Sequence, residues 1–326
     1  MRSAYLIHNP AAGRFHAGRQ VERALGVLRG SGWDVELVKS EEQKELFDLA
    51  KKAAREECAA VFVAGGDGSV GCVASALAGS DTALGVLPSG TANVWARELG
   101  IPQLSISRRS ALEEAAARLM HGRVCKVDLG RCNERAFLLW AGLGLDGAVV
   151  NDIEPRPRWA KVFATSHYVA ATIRRTIAWQ GMQLRVEALE KVWESEYLLA
   201  VASNIRAYAG GLLQLAPGAK MNDGMLDFYL LGGDSVSGTL WLAAQILLGR
   251  HEQAERVVHF RAAEAVFETN GEVQMHLDGE PFHPPSRICF KIWPDALRVL
   301  VPEGGMPAVL ADRDDAASLR GEYGAA

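Results

Sequence analysis

The stretch VFVAGGDGSV, Val61 to Val70, runs an apolar segment into two glycines, an aspartate and a third glycine before turning apolar again. The apolar part, from Ala59 to Ala64, reads as a buried strand stopped by Gly65 and Gly66, and Val70 to Leu77 reads as a helix. Glycines at such a junction permit positive φ and let backbone amides come close to a ligand. The helix start adds free amides and the positive end of its dipole, which together suit an anion. Asp67 would then stand beside phosphates. A carboxylate there repels a nucleotide unless a cation intervenes, so the pattern points to Mg²⁺ between Asp67 and phosphate oxygens. Read by itself, the same stretch is also a plain strand-to-helix turn with Asp67 as its N-cap.

Working outward, Ala4 to Ile7 reads as a short buried strand ended by Asn9, Pro10 and Gly13, followed by a helix through Val21, Leu25 and Leu28. Trp33 to Val38 is a second strand, Glu41 to Glu57 a helix, Ala83 to Leu87 a strand and Glu113 to Met120 a helix. This alternation predicts a parallel sheet covered by helices. A second glycine turn, LPSGTANVWARELG at Leu87 to Gly100, again opens a helix, at about Asn93. In open α/β sheets ligands sit beyond the carboxyl ends of the strands, where both glycine turns and the loop from Asn9 to Arg14 would lie. Thr91 and Asn93 supply side-chain hydrogen bonds there. Neither turn is GxxxxGK[ST] or GxGxxG, which disfavours the common P-loop and Rossmann readings. From Arg131 the rhythm becomes strand-like, at Ala136 to Trp140, Met182 to Ala188, Tyr197 to Ser203, Leu226 to Leu231 and Ala265 to Glu268. Only the segments around Tyr168 to Trp179 and Ser237 to Leu248 read as helical, so a mainly antiparallel β domain with helical insertions is expected.

The bulk numbers agree with two folded domains. A chain of 326 residues exceeds one ordinary core, and 49% hydrophobic with 23% charged residues is a globular balance. The net charge of -4 argues against a nucleic-acid partner or a polybasic membrane binder. Cys58, Cys72, Cys125, Cys132 and Cys289 are odd in number, scattered and without a CxxC pair, which fits a reducing compartment. MRSAYLIHNP lacks the basic and apolar regions of a signal peptide, so no cleaved leader is expected. The longest apolar runs, such as that around Leu240 to Leu248, fall short of the roughly 18 residues that span a bilayer. The tail from Ala311 is small, charged and rich in Gly and Ala, and is expected to be mobile.

HNPAAGR at His8 to Arg14, GGDGSV and LPSGTANVWARELG, in this order and spacing, resemble the diacylglycerol kinase catalytic domain family, which includes bacterial lipid kinases and sphingosine kinase-like enzymes. VDLG at Val127 to Gly130, AGLGLDGAVV at Ala141 to Val150, APGAKMNDGMLDFYLL at Ala216 to Leu231 and HLDGEP at His276 to Pro281 continue the likeness over about residues 4 to 302. The resemblance implies an NAD kinase-like α/β domain at 1–128, followed by a β-sandwich lipid-substrate domain at 129–296. ATP and lipid would meet in a cleft between them. It also implies that 297–310, with a strand near Leu297 to Val301, returns to the first domain, leaving 311–326 as the tail.

Carried over residue by residue, the resemblance puts nucleotide contacts on Asn9, Pro10, Ala11, Ala12, Gly13, Gly65, Gly66, Asp67, Gly68, Ser69, Val70, Gly71, Thr91 and Asn93. Ser40, in a variable loop, is a further match. Asp67 becomes the aspartate of the GGDG block. The acid pair falls on Asp278 and Glu280, with Glu280 the proton acceptor and Asp278 assisting it, on what reads as a flexible turn. By itself that block is equally a surface hairpin turn with two solvated acids. His276 beside it reads as structural. A structural Mg²⁺ site falls on Lys220, Asp223 and Met225, where only Asp223 offers an anionic side chain and the other two would give backbone carbonyls. Without the resemblance, NDG is a tight turn before the strand at Leu226. Asp128 and Asp146 read either as support for the Mg²⁺ network or as turn caps. Two positions depart from the family pattern. Ser69 stands for the commoner threonine and keeps the hydroxyl, whereas Val94 stands where many relatives have aspartate, so no lipid preference resting on that carboxylate carries over.

The implied activity is an ATP-dependent, Mg²⁺-requiring lipid kinase acting on diacylglycerol, a sphingoid base, phosphatidylglycerol or a related alcohol, from the cytoplasm with transient, peripheral membrane contact. Phosphoryl transfer needs a positioned hydroxyl, a metal to offset phosphate charge and a carboxylate to take the proton, and these residues can supply all three. Arg156, Arg158, Lys161, Arg174 and Arg175, interleaved with Trp159, Phe163, Tyr168 and Trp179, suit either membrane docking or an ordinary amphipathic helix. Rival readings are an NAD kinase and a non-catalytic lipid-binding regulator on the same fold. The oligomeric state stays open, a homodimer included.

Overall fold

The computed structural model describes residues 2–13, 17–153, 181–233, 236–304 and 307–312. The basic and aromatic segment from Arg156 to Trp179, most of the tail and Arg14 lie outside the described residues. The chain divides into two compact units, the first made of Met1–Asp128 and Pro294–Leu310, the second built on Leu129–Trp293.

In the first unit, β1 (Arg2–His8), α1 (Gly18–Gly30), β2 (Trp33–Lys39), α2 (Gln43–Arg55), β3 (Ala60–Gly65), α3 (Asp67–Leu77) and β4 (Ala83–Pro88) alternate along the chain. The strands pair in parallel in the order β2-β1-β3-β4. Every residue of β3 and β4 is buried, as expected where helices cover both faces of a parallel sheet. Right-handed crossovers put α1 on one face and α2 and α3 on the other, because the chain turns one way from β1 and the opposite way from β2. The strand order therefore reverses between β1 and β3. That is the switch point, where the loops after β1 and β3 diverge and leave room for a ligand. A short helix, α4 (Val94–Glu98), follows the β4 turn, and α5 (Ala111–Met120) packs beside α1. Val21, Ala24, Leu25 and Leu28 of α1 and Leu46, Ala50 and Ala53 of α2 form buried faces at helical spacing, and Leu49, expected on the α2 face, is only half-buried.

In the second unit, β7 (Trp140–Gly144), β10 (Leu199–Ser203), β13 (Leu226–Leu231), β14 (Val257–Ala262), β16 (Met275–Leu277) and β17 (Glu280–Phe282) form an antiparallel sheet in the order β14-β13-β10-β7-β16-β17. The facing sheet contains β8 (Met182–Ala188), β9 (Lys191–Tyr197), β15 (Glu264–Thr269) and the early part of β18 (Arg287–Val301), with β5 (Arg123–Cys132) and β6 (Arg135–Phe137) beside them, while β11 (Ala207–Tyr208) and β12 (Leu213–Gln214) pair as a separate ribbon. Phe228 and Phe260 from one sheet stack at 5.0 Å, and Phe228 meets Phe267 of the other at 5.8 Å. Phe267 in turn sits edge-on to Phe290 at 4.9 Å. Each of these rings is nearly or wholly buried and contributes about 2 kcal/mol of transfer free energy, so this cluster is what holds the sandwich closed. The expected α/β domain followed by a β-sandwich is what the structure shows.

Two local readings change. Leu145–Ile153 is a helix, α6, where only a block of small and apolar residues was legible. The strand expected over Ala136 to Trp140 is two strands, β6 and β7, separated by Leu138 and Leu139. Late in the chain β18 carries Asp295 at φ +52, and the Asp295 amide donates to the buried Asp128 at 2.7 Å. Asp128 thus fixes a left-handed kink in this strand.

Candidate functional site

Three loops of the first unit meet backbone to backbone. A Cβ on Gly13, which sits at φ +76, would lie 2.0 Å from the carbonyl oxygen of Ser89. A Cβ on Gly90 would lie 2.4 Å from the Cα of Gly66. The first separation joins the β1 loop to the β4 turn, and the second joins the β4 turn to the GGDG block. No side chain larger than hydrogen fits at either point. Gly65, Gly66 and Gly68 are absent from the positive-φ residues, so the glycines of the GGDG block serve close approach and not left-handed backbone.

Polar side chains lock this cradle. The Asn9 Oδ1 accepts the Ala11 amide at 2.9 Å and its Nδ2 donates to the Ser69 hydroxyl at 2.9 Å, tying the first loop to the first turn of α3. Asn93 adopts the left-handed conformation that Asn tolerates, and its Nδ2 donates to the carbonyl of Gly90 at 3.1 Å. The buried Ser89 Oγ and Asn93 Oδ1 find no partner among the described residues. Buried polar atoms without partners are costly, and here both sit at the glycine turn, as expected of a site built for a polar ligand. Thr91 is exposed at the tip of the turn, and Val70 is buried in the core, so Val70 offers only backbone. Ser40 is differently occupied. Its hydroxyl donates to Glu45 at 2.5 Å and accepts the Glu42 amide at 3.3 Å, organising the start of α2.

Asp67 opens α3 and is half-buried. Its Oδ1 accepts the Trp95 amide at 3.2 Å, so the carboxylate also spans to the start of α4. Burial pushes the Asp67 carboxyl above its ordinary range, while the amides of Val94 and Trp95 pull it back down. Among the described residues no three His, Cys, Asp or Glu side chains cluster as a metal cage. A single carboxylate beside a phosphate cradle still suits Mg²⁺, which is usually held by one or two carboxylates together with nucleotide phosphates and water.

The second unit holds two further clusters. In the first, Asp278 and Gly279 are the two central residues of the β16–β17 hairpin, at φ +52 and +83, the geometry of a type I′ turn. The turn is not a flexible surface loop. The Asp278 carboxylate accepts three backbone amides, from Leu138 and Leu139 at 2.7 Å each and from Trp140 at 3.1 Å. Asp278 also donates its own amide to the Trp140 carbonyl at 3.0 Å. Glu280 leaves the turn half-exposed, 3.9 Å from the Arg135 guanidinium, which in turn lies over the Phe282 ring.

Burial pushes the Asp278 carboxyl up to about 6, against the pull of the three amides. A carboxyl raised above its unfolded value favours the protonated fold. Its contribution to stability is therefore greatest below about pH 4 and falls by about 2 kcal/mol between pH 4 and pH 6. Urea unfolding of the wild type and of Asp278→Asn at pH 4, 5 and 6 should show their difference shrinking by about that amount. A difference that stays flat would mean the amides outweigh burial.

The second cluster surrounds Asp223, which is fully buried. One carboxylate oxygen accepts the Met225 amide at 3.1 Å and the other is paired with Arg261, which also reaches Asp227 at 3.3 Å. In this structure a guanidinium and the Met225 amide occupy the Asp223 carboxylate in the place a cation would take. Strands β10 and β7 lie between β13, beside this cluster, and β16.

Of the sequence-derived residues, the structure gathers Asn9, Gly13, Gly66, Asp67, Ser69 and Asn93 in one place, and holds Asp278 and Glu280 on one turn. Within the second unit, Asp223 and Met225 belong to the Arg261 cluster and not to the turn of Asp278 and Glu280. Ser89 and Gly90 were missed although both lie in the quoted glycine turn, where close approach is the signal that marks them. Asp146 and His276 form a buried pair at 2.9 Å that no local pattern announces.

Comparison with known proteins agrees with this geometry. Residues 3–132 match the diacylglycerol kinase catalytic domain, and residues 141–301 match the YegS C-terminal NAD kinase beta sandwich-like domain. A curated diacylglycerol kinase of Mycobacterium tuberculosis is 31% identical over 304 residues, covering 91% of this chain and 94% of its own. One of Bacillus subtilis is 26% identical over 282 residues, covering 86% and 90%. A crystal structure of a diacylglycerol kinase from Bacillus anthracis shares the fold, with a TM-score of 0.71 at 22% identity over 93% of this chain and 97% of that one. With a glycine cradle at the switch point of the first unit, a β-sandwich as the second unit and a 31% identical relative matched over 94% of its length, the chain belongs to the diacylglycerol kinase and YegS-like lipid kinase family.

Proposed function

We propose that this protein transfers the γ-phosphate of ATP to a hydroxyl of diacylglycerol or a related lipid, a sphingoid base and phosphatidylglycerol included. The observation that carries the reading is the cradle of Gly13, Gly66 and Gly90, which leaves backbone where a phosphate must approach and places Asp67 beside it. Mg²⁺, held by Asp67 and the nucleotide, would offset charge on the phosphates. The first unit binds and orients the nucleotide through the amides of the Asn9–Gly13 loop and the start of α3. In the second unit Glu280 takes the proton of the acceptor hydroxyl. Asp278, with three amides on its carboxylate, fixes the turn and so assists Glu280 by holding it in place.

Among the described residues no helix is long and apolar enough to cross a membrane. We assign the protein to the cytoplasm, with transient membrane contact to reach a bilayer lipid.

The test is transfer of labelled γ-phosphate from ATP with Mg²⁺ to diacylglycerol, sphingosine and phosphatidylglycerol in mixed micelles, with NAD as a soluble control acceptor. Label in one lipid and none in NAD is expected. Label in NAD alone would move the chain to nucleotide substrates.

A further inference from the structure

The turn that carries Glu280 is held from two sides. Asp278, its first central residue, is anchored through its carboxylate as described above. Gly279, the second, is anchored through its amide, which donates to His276 Nδ1 at 3.1 Å. An Nδ1 that accepts a hydrogen bond carries no proton, so in the neutral ring the proton sits on Nε2. Nε2 faces Asp146 Oδ2 at 2.9 Å. Both side chains are almost completely buried, His276 at 1% exposure and Asp146 at 3%. A buried carboxylate persists only with partners, and this one sits in the first turn of α6, where the helix dipole also favours negative charge.

Room for the pair comes from Gly142, which lies opposite His276 in the β7–β16 register. A Cβ there would stand 2.1 Å from Asp146 Oδ2 and 2.6 Å from His276 Nε2. The ring of Trp140 closes the remaining side edge-on, with centroids 6.5 Å apart. A line of contacts therefore runs from α6 through Asp146 and His276 to the Gly279 peptide. Glu280 is the next residue, so a rotation of that peptide would re-aim its side chain.

We infer that His276 and Asp146 are positioning residues for phosphoryl transfer. Asp146 fixes the tautomer of His276, and His276 holds the Gly279 amide so that Glu280 meets the acceptor hydroxyl. The inference rests on the lipid kinase reading above and names residues that the reaction itself does not touch. A purely structural pair would lower stability and activity together. A positioning pair separates them, because only the Nδ1 side of the ring touches the turn.

Two substitutions split the ring's roles. His276→Asn puts an amide oxygen near the place of Nδ1 and gives up the reach to Asp146. His276→Gln keeps the reach toward Asp146 and gives up the acceptor for Gly279. Both remove the imidazole from the same buried site, so both should lower the melting temperature by similar amounts. The Gln variant should lose roughly 10- to 100-fold in kcat, the size produced by a misplacement of about 1 Å, with KM for ATP and lipid unchanged. The Asn variant should stay within about threefold of the wild type, a loss of less than about 1 kcal/mol. Amide exchange at Gly279, read by NMR, should be slow in the wild type and the Asn variant and fast in the Gln variant. If either variant fails to fold, Asp146→Asn, which keeps an acceptor for Nε2–H, and Asp146→Ala replace them, with the Ala variant alone expected to lose kcat.

Equal losses of kcat in the two histidine variants, or equal Gly279 exchange, would overturn the inference. Wild-type protein that transfers no phosphate to any lipid would sink the kinase reading and the positioning role with it. Transfer by the wild type with unaltered kcat in the Gln variant would sink the positioning role alone.

Discussion

Glu280→Gln is expected to lower lipid phosphorylation by roughly 10²- to 10⁴-fold, the usual worth of a general base, while leaving nucleotide binding intact. The reason lies in how the acid pair divides its work. Asp278 accepts the amides of Leu138, Leu139 and Trp140 and is committed to holding the turn, whereas Glu280 stands half-exposed at the exit of the same turn. Gln keeps the size and the hydrogen-bonding capacity of Glu280 and removes only its ability to take a proton. The converse variant is Gly90→Ala, whose new methyl would press against Gly66 Cα at 2.4 Å and against Asn93 Oδ1 at 2.6 Å. That variant should lose binding of a fluorescent ATP analogue, and with it turnover by roughly 10²-fold, because the loops must part by about 1 Å. Gly26→Ala is the control, since nothing lies within 4 Å of its Cβ on the exposed side of α1. It should bind and turn over as the wild type does. Glu280→Gln with wild-type turnover would remove Glu280 from the reaction, and Gly90→Ala with undiminished nucleotide affinity would remove the cradle from it.

The α/β half was legible because its signals are local. Apolar runs such as Ala60–Gly65 and Ala83–Pro88 are buried on both faces, and each is stopped by a Gly or Pro that punctuates the sequence. The GGDG and GTAN turns announce themselves through composition alone. What composition does not reveal is why the glycines are there, since the close approaches of Gly13 to Ser89 and of Gly66 to Gly90 join segments far apart in the chain. The same limit explains the DGE turn. Its residues read as a solvated loop because the amides that capture Asp278 come from residues 138–140, almost half the chain away. His276 read as an incidental histidine for the same reason, its partner Asp146 being 130 positions distant. Helix α6 escaped notice because AGLGLDGAVV lacks the polar positions that would mark a helical period, its residues being almost all buried.

Arg261→Met is expected to destabilise the second unit by about 3–5 kcal/mol, the cost of leaving a buried carboxylate without its partner. Asp223 is fully buried, and apart from the Met225 amide its observed partner is the guanidinium, which also reaches Asp227. Burial already raises the Asp223 carboxyl above its ordinary range, with Arg261 the strongest influence in the other direction. Without Arg261 the acid should take up a proton, so the deficit should narrow as pH falls and widen as pH rises. Asp223→Asn in the Arg261→Met background should recover part of the loss, because it removes the charge that was stranded. The same variants decide what the resemblance implied here. If Arg261 is the resident cation, millimolar Mg²⁺ should leave the urea midpoint of the wild type unchanged, and the double variant should be equally indifferent. A rise of that midpoint with Mg²⁺ in Arg261→Met alone would show that Asp223 can take a metal once the guanidinium is gone. A rise in the wild type as well would show that the ion displaces Arg261, and the pair would then be one of two states of a magnesium site.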